Sequence, residues 1–267
     1  MAETPATNVP LTDSSPFGAD LNLARLYKFR PPYLDNFFIQ LAKGLNLTNS
    51  SEILDICCGN GQLAVGLQKY VHKIVAVDAS KEMLEHASSF SNIAYLHADV
   101  NSPTLIDTIG GQKFDHFVLG RAIHWIEKDA LKLLSDNNLN SNGYIVVAAS
   151  LFSRRTPWLN AFMGVRNNYG ADEKWDFSGT KVEEIGYILK DQILLHEKFT
   201  CDFDYLAKHA MSFAISYEKI YADSQNFREL MKKAMKPFEV DGKYEGLIVN
   251  WADIYSKHPS FGGNYRF

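Results

Sequence analysis

No stretch of the sequence approaches the run of about twenty apolar residues that a bilayer-spanning helix needs. Met1 to Pro16 lacks the basic-then-apolar pattern of an export leader. Cysteine is scarce. Cys57, Cys58 and Cys201 are the three in 267 residues, too few and too uneven for a disulfide framework, and they point to a reducing compartment. None of the eight histidines stands in an HExxH or paired-histidine spacing and no CxxC occurs, so no metal site is expected. Positive charge is not in surplus: 27 basic against 31 acidic residues give a net charge of -4. That balance leaves no basic field for a phosphate backbone, and nucleic acid is not an expected partner. Internal repeats, low-complexity tracts and domain-separating linkers are also missing. These absences leave a cytoplasmic globular protein with no membrane partner, a monomer or a homodimer.

What is present is ordinary in bulk, with 46% hydrophobic and 22% charged residues, and the length allows a large α/β core. Residues 1–18 read as a flexible arm and 19–267 as a single domain. A short helix is expected over Leu21 to Tyr27, stopped at Arg30-Pro31-Pro32 because a residue before proline leaves the helical region. Tyr33 to Leu45 carries Leu34, Phe37, Phe38, Leu41 and Leu45 at amphipathic spacing. Strands and helices then alternate. Ile53–Ile56, Lys73–Asp78, Ile93–Leu96, Phe114–Leu119 and Gly143–Ala149 read as strands, with helices over Gln62 to Tyr70, from Ser80 to Ser88, and up to Ser135. Mostly apolar strands separated by helices define an open, doubly wound, Rossmann-like parallel sheet covered on both faces. After Ser150 the rhythm breaks. An aromatic-rich stretch at about 151–190 is expected to form a helical lid over the carboxyl ends of the strands. Further strands are expected at Ile193 to Phe203 and Lys243 to Tyr255, with a helical segment at about 205–236 between them.

The chain is organised around Asp55-Ile56-Cys57-Cys58-Gly59-Asn60-Gly61, a buried strand that runs into a loop of small residues and then a helix. Such a loop lets backbone approach a nucleotide-like ligand, although the same turn also serves with no ligand at all. It is G-x-G, not the full G-x-G-x-x-G, and Cys57 stands where many nucleotide loops have their first glycine. Three acids close consecutive strands: Asp55, Asp78 and Asp99. Asp78 lies roughly 20 residues beyond the loop, the spacing at which an acid accepts hydrogen bonds from ribose hydroxyls.

These motifs resemble those of class I S-adenosylmethionine-dependent methyltransferases, over about Ala24 to Tyr255. The Asp55–Gly61 loop is similar to the family's D-x-G-x-G-x-G, with Cys57 for the first glycine. Val77-Asp78-Ala79-Ser80 with Met83-Leu84, His97-Ala98-Asp99-Val100, and Phe114-Asp115 to His124-Trp125 resemble the segments that follow. Tyr27-x-x-Arg30-Pro31-Pro32-Tyr33 resembles an N-terminal element of a subgroup that methylates small molecules and closes over the amino-acid end of the cofactor.

The resemblance implies a seven-stranded, mainly parallel sheet whose last strand is antiparallel. It implies S-adenosylmethionine as cofactor and S-adenosylhomocysteine as product. Asp78 would take the ribose hydroxyls, Asp99 the adenine amino group and the Val100 amide a ring nitrogen, with Ala79 and Met83 alongside. Gly59 and Gly61 would pass close to the methionine moiety, with Cys57 adding bulk beside it. Asp55 would orient the loop or reach the ammonium through water, near carbonyls of Leu119, Gly120 and Arg121.

Other residues have two readings each. Tyr27 and Arg30 clamp the cofactor carboxylate or form a helix-terminating surface pair. His124 is a general base or a structural histidine beside Trp125. Arg154 and Arg155 hold an acidic substrate or are solvated loop charges. Trp158, Tyr169 and Trp175 wall a substrate or pack on the domain beneath. Tyr33, His124, Trp125, Arg154 and Trp158 are the substrate-contact candidates. A carboxylate acceptor needs no base, whereas an amine or hydroxyl is helped by one such as His124 or Tyr27. The expected activity is methyl transfer to a small molecule, with carboxylate or hydroxyl oxygen ahead of nitrogen. The alternatives are an S-adenosylmethionine-binding protein with a regulatory or non-methylating role, and a nicotinamide-dependent oxidoreductase. The latter is disfavoured by the incomplete glycine motif.

Overall fold

Apolar strands delivered one after another build a seven-stranded sheet. The computed structural model describes residues 21–170 and 178–258. The expected arm over 1–18, and Trp175 within the lid, lie outside the described residues. The strands are β1 (Glu52–Ile56), β2 (Lys73–Asp78), β3 (Ile93–His97), β4 (Phe114–Gly120), β5 (Leu139–Phe152), β6 (Tyr187–Asp202) and β7 (Lys243–Lys257). Their order is β3-β2-β1-β4-β5-β7-β6. Neighbours from β3 to β5 pair in parallel, whereas β7 runs antiparallel to both β5 and β6. The doubly wound, mainly parallel sheet with its last strand antiparallel is therefore borne out.

Alternation along each strand sorts the core into two layers. Leu54, Ile56, Val75, Val77, Phe117, Leu119, Ile145 and Val147 face one way, beneath α5 (Thr104–Ile109), α6 (Lys128–Asn138) and α8 (Thr180–Glu184). Ile53, Ile74, Ala76, Val118, Val146 and Ala148 face the other, beneath α2 (Asp35–Gly44) and α3 (Gln62–Leu67). A third cluster caps the β5-β7-β6 side. It joins Phe152, Tyr244 and Ile248 to α7 (Leu159–Asn167), α9 (Phe203–Met211) and α11 (Ser224–Met235). The remaining helices are α1 (Leu21–Leu26), α4 (Lys81–Leu84) and α10 (Ala214–Ala222). Among the described residues no helix is long and apolar enough to cross a membrane.

Several boundaries differ from the sequence expectation, for local reasons. The stretch expected as a lid at 151–190 holds α7 and α8 but also the end of β5 and the start of β6. β6 starts at Tyr187, well before Ile193, because its partner β7 is long enough to pair with it throughout. The stretch 205–236 is three helices rather than one, broken at Ser212-Phe213 and at Asp223. The helix expected from Ser80 to Ser88 closes after Leu84, with Ser80 Oγ capping it by accepting from Met83 N at 3.1 Å.

Candidate active site

Two residues other than glycine adopt left-handed backbone at the carboxyl edge of the sheet: Cys57 at φ 52° after β1 and Arg121 at φ 58° after β4. Such conformations cost about 1–2 kcal/mol for an ordinary L residue and concentrate where function holds them in place. Gly59 and Gly61 continue the same turn at φ 58° and 78°. Gly61 is required twice over, since a Cβ there would lie 2.5 Å from Tyr95 Oη. The loop is hung from β2: Cys58 N donates to Val77 O at 2.9 Å, and Gly59 N to Asp78 Oδ2 at 2.7 Å.

Between this loop and the ends of β2, β3 and β4 lies a cavity of about 90 Å³. Tyr27, Cys57, Gly59, Asp78, Ala79, Met83, Asp99, Val100, Gly120, Arg121 and Trp125 line it, as the sequence brought them forward. Val77, Ala98, Asn101 and Ala122 complete the wall. Asp78 has its two oxygens on backbone N–H groups, Oδ2 on Gly59 and Oδ1 on Ser80 at 2.8 Å. An ionised carboxylate offers about four lone-pair directions, so capacity for hydroxyl donors remains. Asp99 Oδ1 accepts from Asn101 N at 2.9 Å. Asn101 in turn ties the end of β3 to the loop after β4, donating to Trp125 O and accepting from Glu127 N. Sequence reasoning missed Asn101, whose two side-chain bonds depend on a loop far along the chain.

Asp55 is not on this cavity. Its side chain faces α3, where Oδ2 accepts from Ala64 N at 3.1 Å, capping a helix whose own N-cap residue, Gly61, has no side chain. Oδ1 is buried with no hydrogen-bond partner among the described residues. Burial, with Asp78 adding to it, pushes the Asp55 carboxyl up to about 8. Leu119 is likewise buried in the sheet core, and Gly61 sits beneath Tyr95.

Arg121 acts here through its side chain. Its guanidinium is buried and donates to Pro31 O (3.0 Å), Ser150 O (3.2 Å) and Gln62 Oε1 (2.6 Å). It also lies between the Tyr27 and Tyr33 rings, at 5.4 and 5.2 Å. It thus fastens the N-terminal Tyr27–Tyr33 element to the ends of β4 and β5. Tyr33 is corrected as a substrate contact: it is buried on Phe37 and Phe38, and its hydroxyl donates to Ala148 O at 3.3 Å.

A second, larger cavity of about 810 Å³ opens at the end of β5, beyond the Arg121–Pro31–Ser150 tie. Apolar side chains of Leu159, Phe162, Met163 and Phe213 line it together with Arg30, Arg154, Arg155, Arg166, His196 and His209. Arg30 is therefore placed here and not with the first cavity. Arg154 and Arg155 are exposed at its rim. Trp158 is corrected too: it is fully buried, its Nε1 donating to Glu245 O at 2.8 Å, and it lines neither of these cavities. Tyr169, the other described member of the expected aromatic wall, is buried and bonds Asp223 Oδ2 at 2.7 Å. His124 lines neither cavity. Its ring lies 4.7 Å from that of Trp125. Lys181 Nζ of α8 holds the backbone of this loop through Ile123 O and Ile126 O, at 3.2 and 2.8 Å. Among the described residues no group of side chains suits a metal ion.

A strand order of 3-2-1-4-5-7-6 with β7 reversed, and a glycine loop and strand-end acids at the carboxyl edge, define the Rossmann-like methyltransferase class. The comparisons agree. A family model described as a methyltransferase domain matches residues 53–137. An uncharacterized methyltransferase of Schizosaccharomyces pombe is 30% identical over 105 residues, 39% of each chain. The chain thus spans less than two thirds of the length of the curated relatives it matches. A provisionally named type II methyltransferase from Anaeromyxobacter dehalogenans superposes with a TM-score of 0.65 at 15% identity, over 85% of this chain and 97% of that one. A methyltransferase from Thiobacillus denitrificans, described in complex with S-adenosyl-L-homocysteine, gives 0.50 at 14% identity, over 89% and 97%. Residues 53–137 match the methyltransferase domain model, and the chain has the class I methyltransferase fold.

Proposed function

We propose that the protein transfers a methyl group from S-adenosylmethionine to a small-molecule acceptor, the described residues forming one catalytic domain. The observation that carries the reading is the convergence of Asp78, Asp99 and the Gly59 backbone on one cavity at the carboxyl edge. The donor set fits the cofactor. Asp78 has acceptor capacity for the ribose hydroxyls, Asp99 for the adenine amino group, and the Val100 amide for a ring nitrogen. Val77, Met83 and Ala98 supply apolar walls for a flat base. The cavity is smaller than the 300–1,000 Å³ usual for small-molecule sites, so binding requires Tyr27 and the exposed Trp125 to move outward.

When bound, S-adenosylmethionine supplies a methyl group that an acceptor's lone pair takes as the carbon–sulfur bond breaks and its electron pair returns to sulfur. The chain's own residues align the acceptor and keep water out. Tyr27 lines the first cavity and, in this reading, takes the proton from a hydroxyl or amine acceptor. A carboxylate acceptor needs no such step, and the arginines of the second cavity favour it. The free thiols of Cys57, Cys58 and Cys201 fit a reducing, cytoplasmic setting. The test is incubation with S-adenosylmethionine and a panel of organic acids, phenols and amines, with S-adenosylhomocysteine and methylated products read by mass spectrometry. Product from at least one small acceptor is expected. No turnover, or transfer only to RNA or protein, overturns the reading.

A further inference from the structure

Three arginines lie buried or half-buried in or behind the Tyr27–Tyr33 element, and among the described residues none of them is in an ion pair. Arg121 donates to three oxygen acceptors, although its buried Nε has no partner among the described residues. Arg30 and Arg166 have one hydrogen bond each among the described residues. Arg30 Nη2 donates to Ser212 O at 2.9 Å, while its buried Nε has no partner among the described residues. Arg166 is 4% exposed, and its only hydrogen bond among the described residues is a weak one to Met163 Sδ at 3.3 Å. Its Nε is buried and unpartnered as well.

The two guanidinium carbons lie 3.4 and 3.7 Å from the centroid of the same Phe213 ring, too close to share a face, so the ring is sandwiched between two cations. Stacking occupies the faces of the guanidinium groups and leaves their N–H edges directed past the ring. Both residues line the 810 Å³ cavity, and among the described residues no Asp or Glu does. His209, buried beside Phe162 and Phe213 with Nδ1 unpartnered, adds a neutral polar group, since burial and the neighbouring arginines hold it well below the usual histidine range. Burial also pushes Arg30 down to about 9 and Arg166 to about 10. Isolated buried cations are costly, and proteins keep them where something completes the charge.

We propose that the second cavity is the methyl-acceptor site and takes an organic carboxylate, its anionic head on the Arg30 and Arg166 edges and its apolar body along Leu159, Phe162 and Met163. The acceptor role rests on the first cavity holding the methyl donor; the anion site does not. The cavity's place supports it, since Arg121 of the first cavity's wall donates to the carbonyls of Pro31 and Ser150, which line the second, and both lie at the same sheet edge. Apolar lining with a cationic end selects an organic acid over an inorganic anion, because a small hydrated anion leaves the apolar wall in water. Arg154 and Arg155 at the rim give the entrance the same sign, which draws anions in.

The test is calorimetric titration of the full chain with decanoate, glutarate and inorganic phosphate, beside S-adenosylhomocysteine as a separate titrant. At least one of the two carboxylates should bind, and bind more tightly than phosphate. Arg166→Gln should weaken that binding by about tenfold or more, the loss of a charge-assisted contact, while its S-adenosylhomocysteine affinity stays at the wild-type value and shows that the fold persists. Arg166→Lys, which keeps the charge but not the fork, should fall between. Arg228→Gln, on the surface beside Asp204, should bind carboxylate as wild type does. Phosphate binding as tightly as the carboxylates overturns the organic-acid assignment, and so does S-adenosylhomocysteine binding with no carboxylate binding. Carboxylate binding without S-adenosylhomocysteine binding overturns the donor reading, and with it the acceptor role of this anion.

Discussion

Replacing Asp78 separates two jobs that the structure assigns to one carboxylate. In the ligand-free protein its oxygens accept from Gly59 N at 2.7 Å and Ser80 N at 2.8 Å, joining the glycine loop to the N-terminus of α4. Gly59 and Ser80 are both buried, so Asp78→Ala leaves two N–H groups without a partner. Hydrogen bonds to a charged acceptor contribute about 1.5–3 kcal/mol each. Asp78 is only half-buried, so a loss of roughly 2–4 kcal/mol in unfolding free energy is expected for the pair. The second job is the ribose. Losing the acceptor for its hydroxyls should cost a further 1–3 kcal/mol, or about 5- to 150-fold in Kd. Asp78→Asn, which keeps one acceptor oxygen, should lie between Ala and wild type on both scales. Urea titration of the ligand-free variants gives the first quantity, and calorimetry with S-adenosylhomocysteine the second. A variant that loses stability but binds within twofold of wild type would make Asp78 a loop brace only and refute the ribose assignment.

Gly61→Ala should destabilise the protein by roughly 2–4 kcal/mol in urea, because left-handed backbone and overpacking against Tyr95 act together. Asp55 has its folded-state pKa raised above the unfolded value of 3.8 to about 8, so the folded state holds the proton more tightly and stability falls as pH rises from near 4 to near 8. Asp55→Asn should flatten that slope in thermal melts at a series of pH values; an unchanged slope would contradict the burial argument. His116, buried against Tyr144, has the opposite sign. Burial lowers it from 6.5 to about 4, so stability is lost as pH falls from about 6.5 to 4, and His116→Phe should remove part of that loss. Trp125 lines the first cavity and is 37% exposed, so S-adenosylhomocysteine should change the protein's fluorescence, and Trp125→Phe should abolish most of the change.

The fold was legible where short-range pattern and burial agree. β1, β2, β3 and β4 fall within a residue or so of their apolar runs, and the acids at the ends of the first three mark the carboxyl edge. α5 was not legible, because Thr104–Ile109 is too short for a helical period to show. Leu139 to Asn142 lies outside the strand expected at Gly143–Ala149, yet Leu139 opens β5 by pairing with Phe114, a tertiary demand that overrides local preference. The first cavity could be read from sequence because loop and strand ends deliver its residues directly. The second could not. Arg30, Arg166 and Phe213 come from three distant segments, and the Arg30–Ser212 bond spans 182 residues. One signal for it was present: Arg166 follows Phe162 and Val165 and precedes Tyr169 at helical spacing, which puts a charge on the buried stripe of α7.

The account stands on one cavity accepting one nucleoside, and a crystal structure of the protein grown with S-adenosylhomocysteine examines that most directly. The ribose hydroxyls should sit on Asp78 and the adenine amino group on Asp99, with Tyr27 and Trp125 displaced outward. Crystals grown in millimolar ligand that keep both rings in place, with the cavity shut and the nucleoside elsewhere or absent, would contradict it.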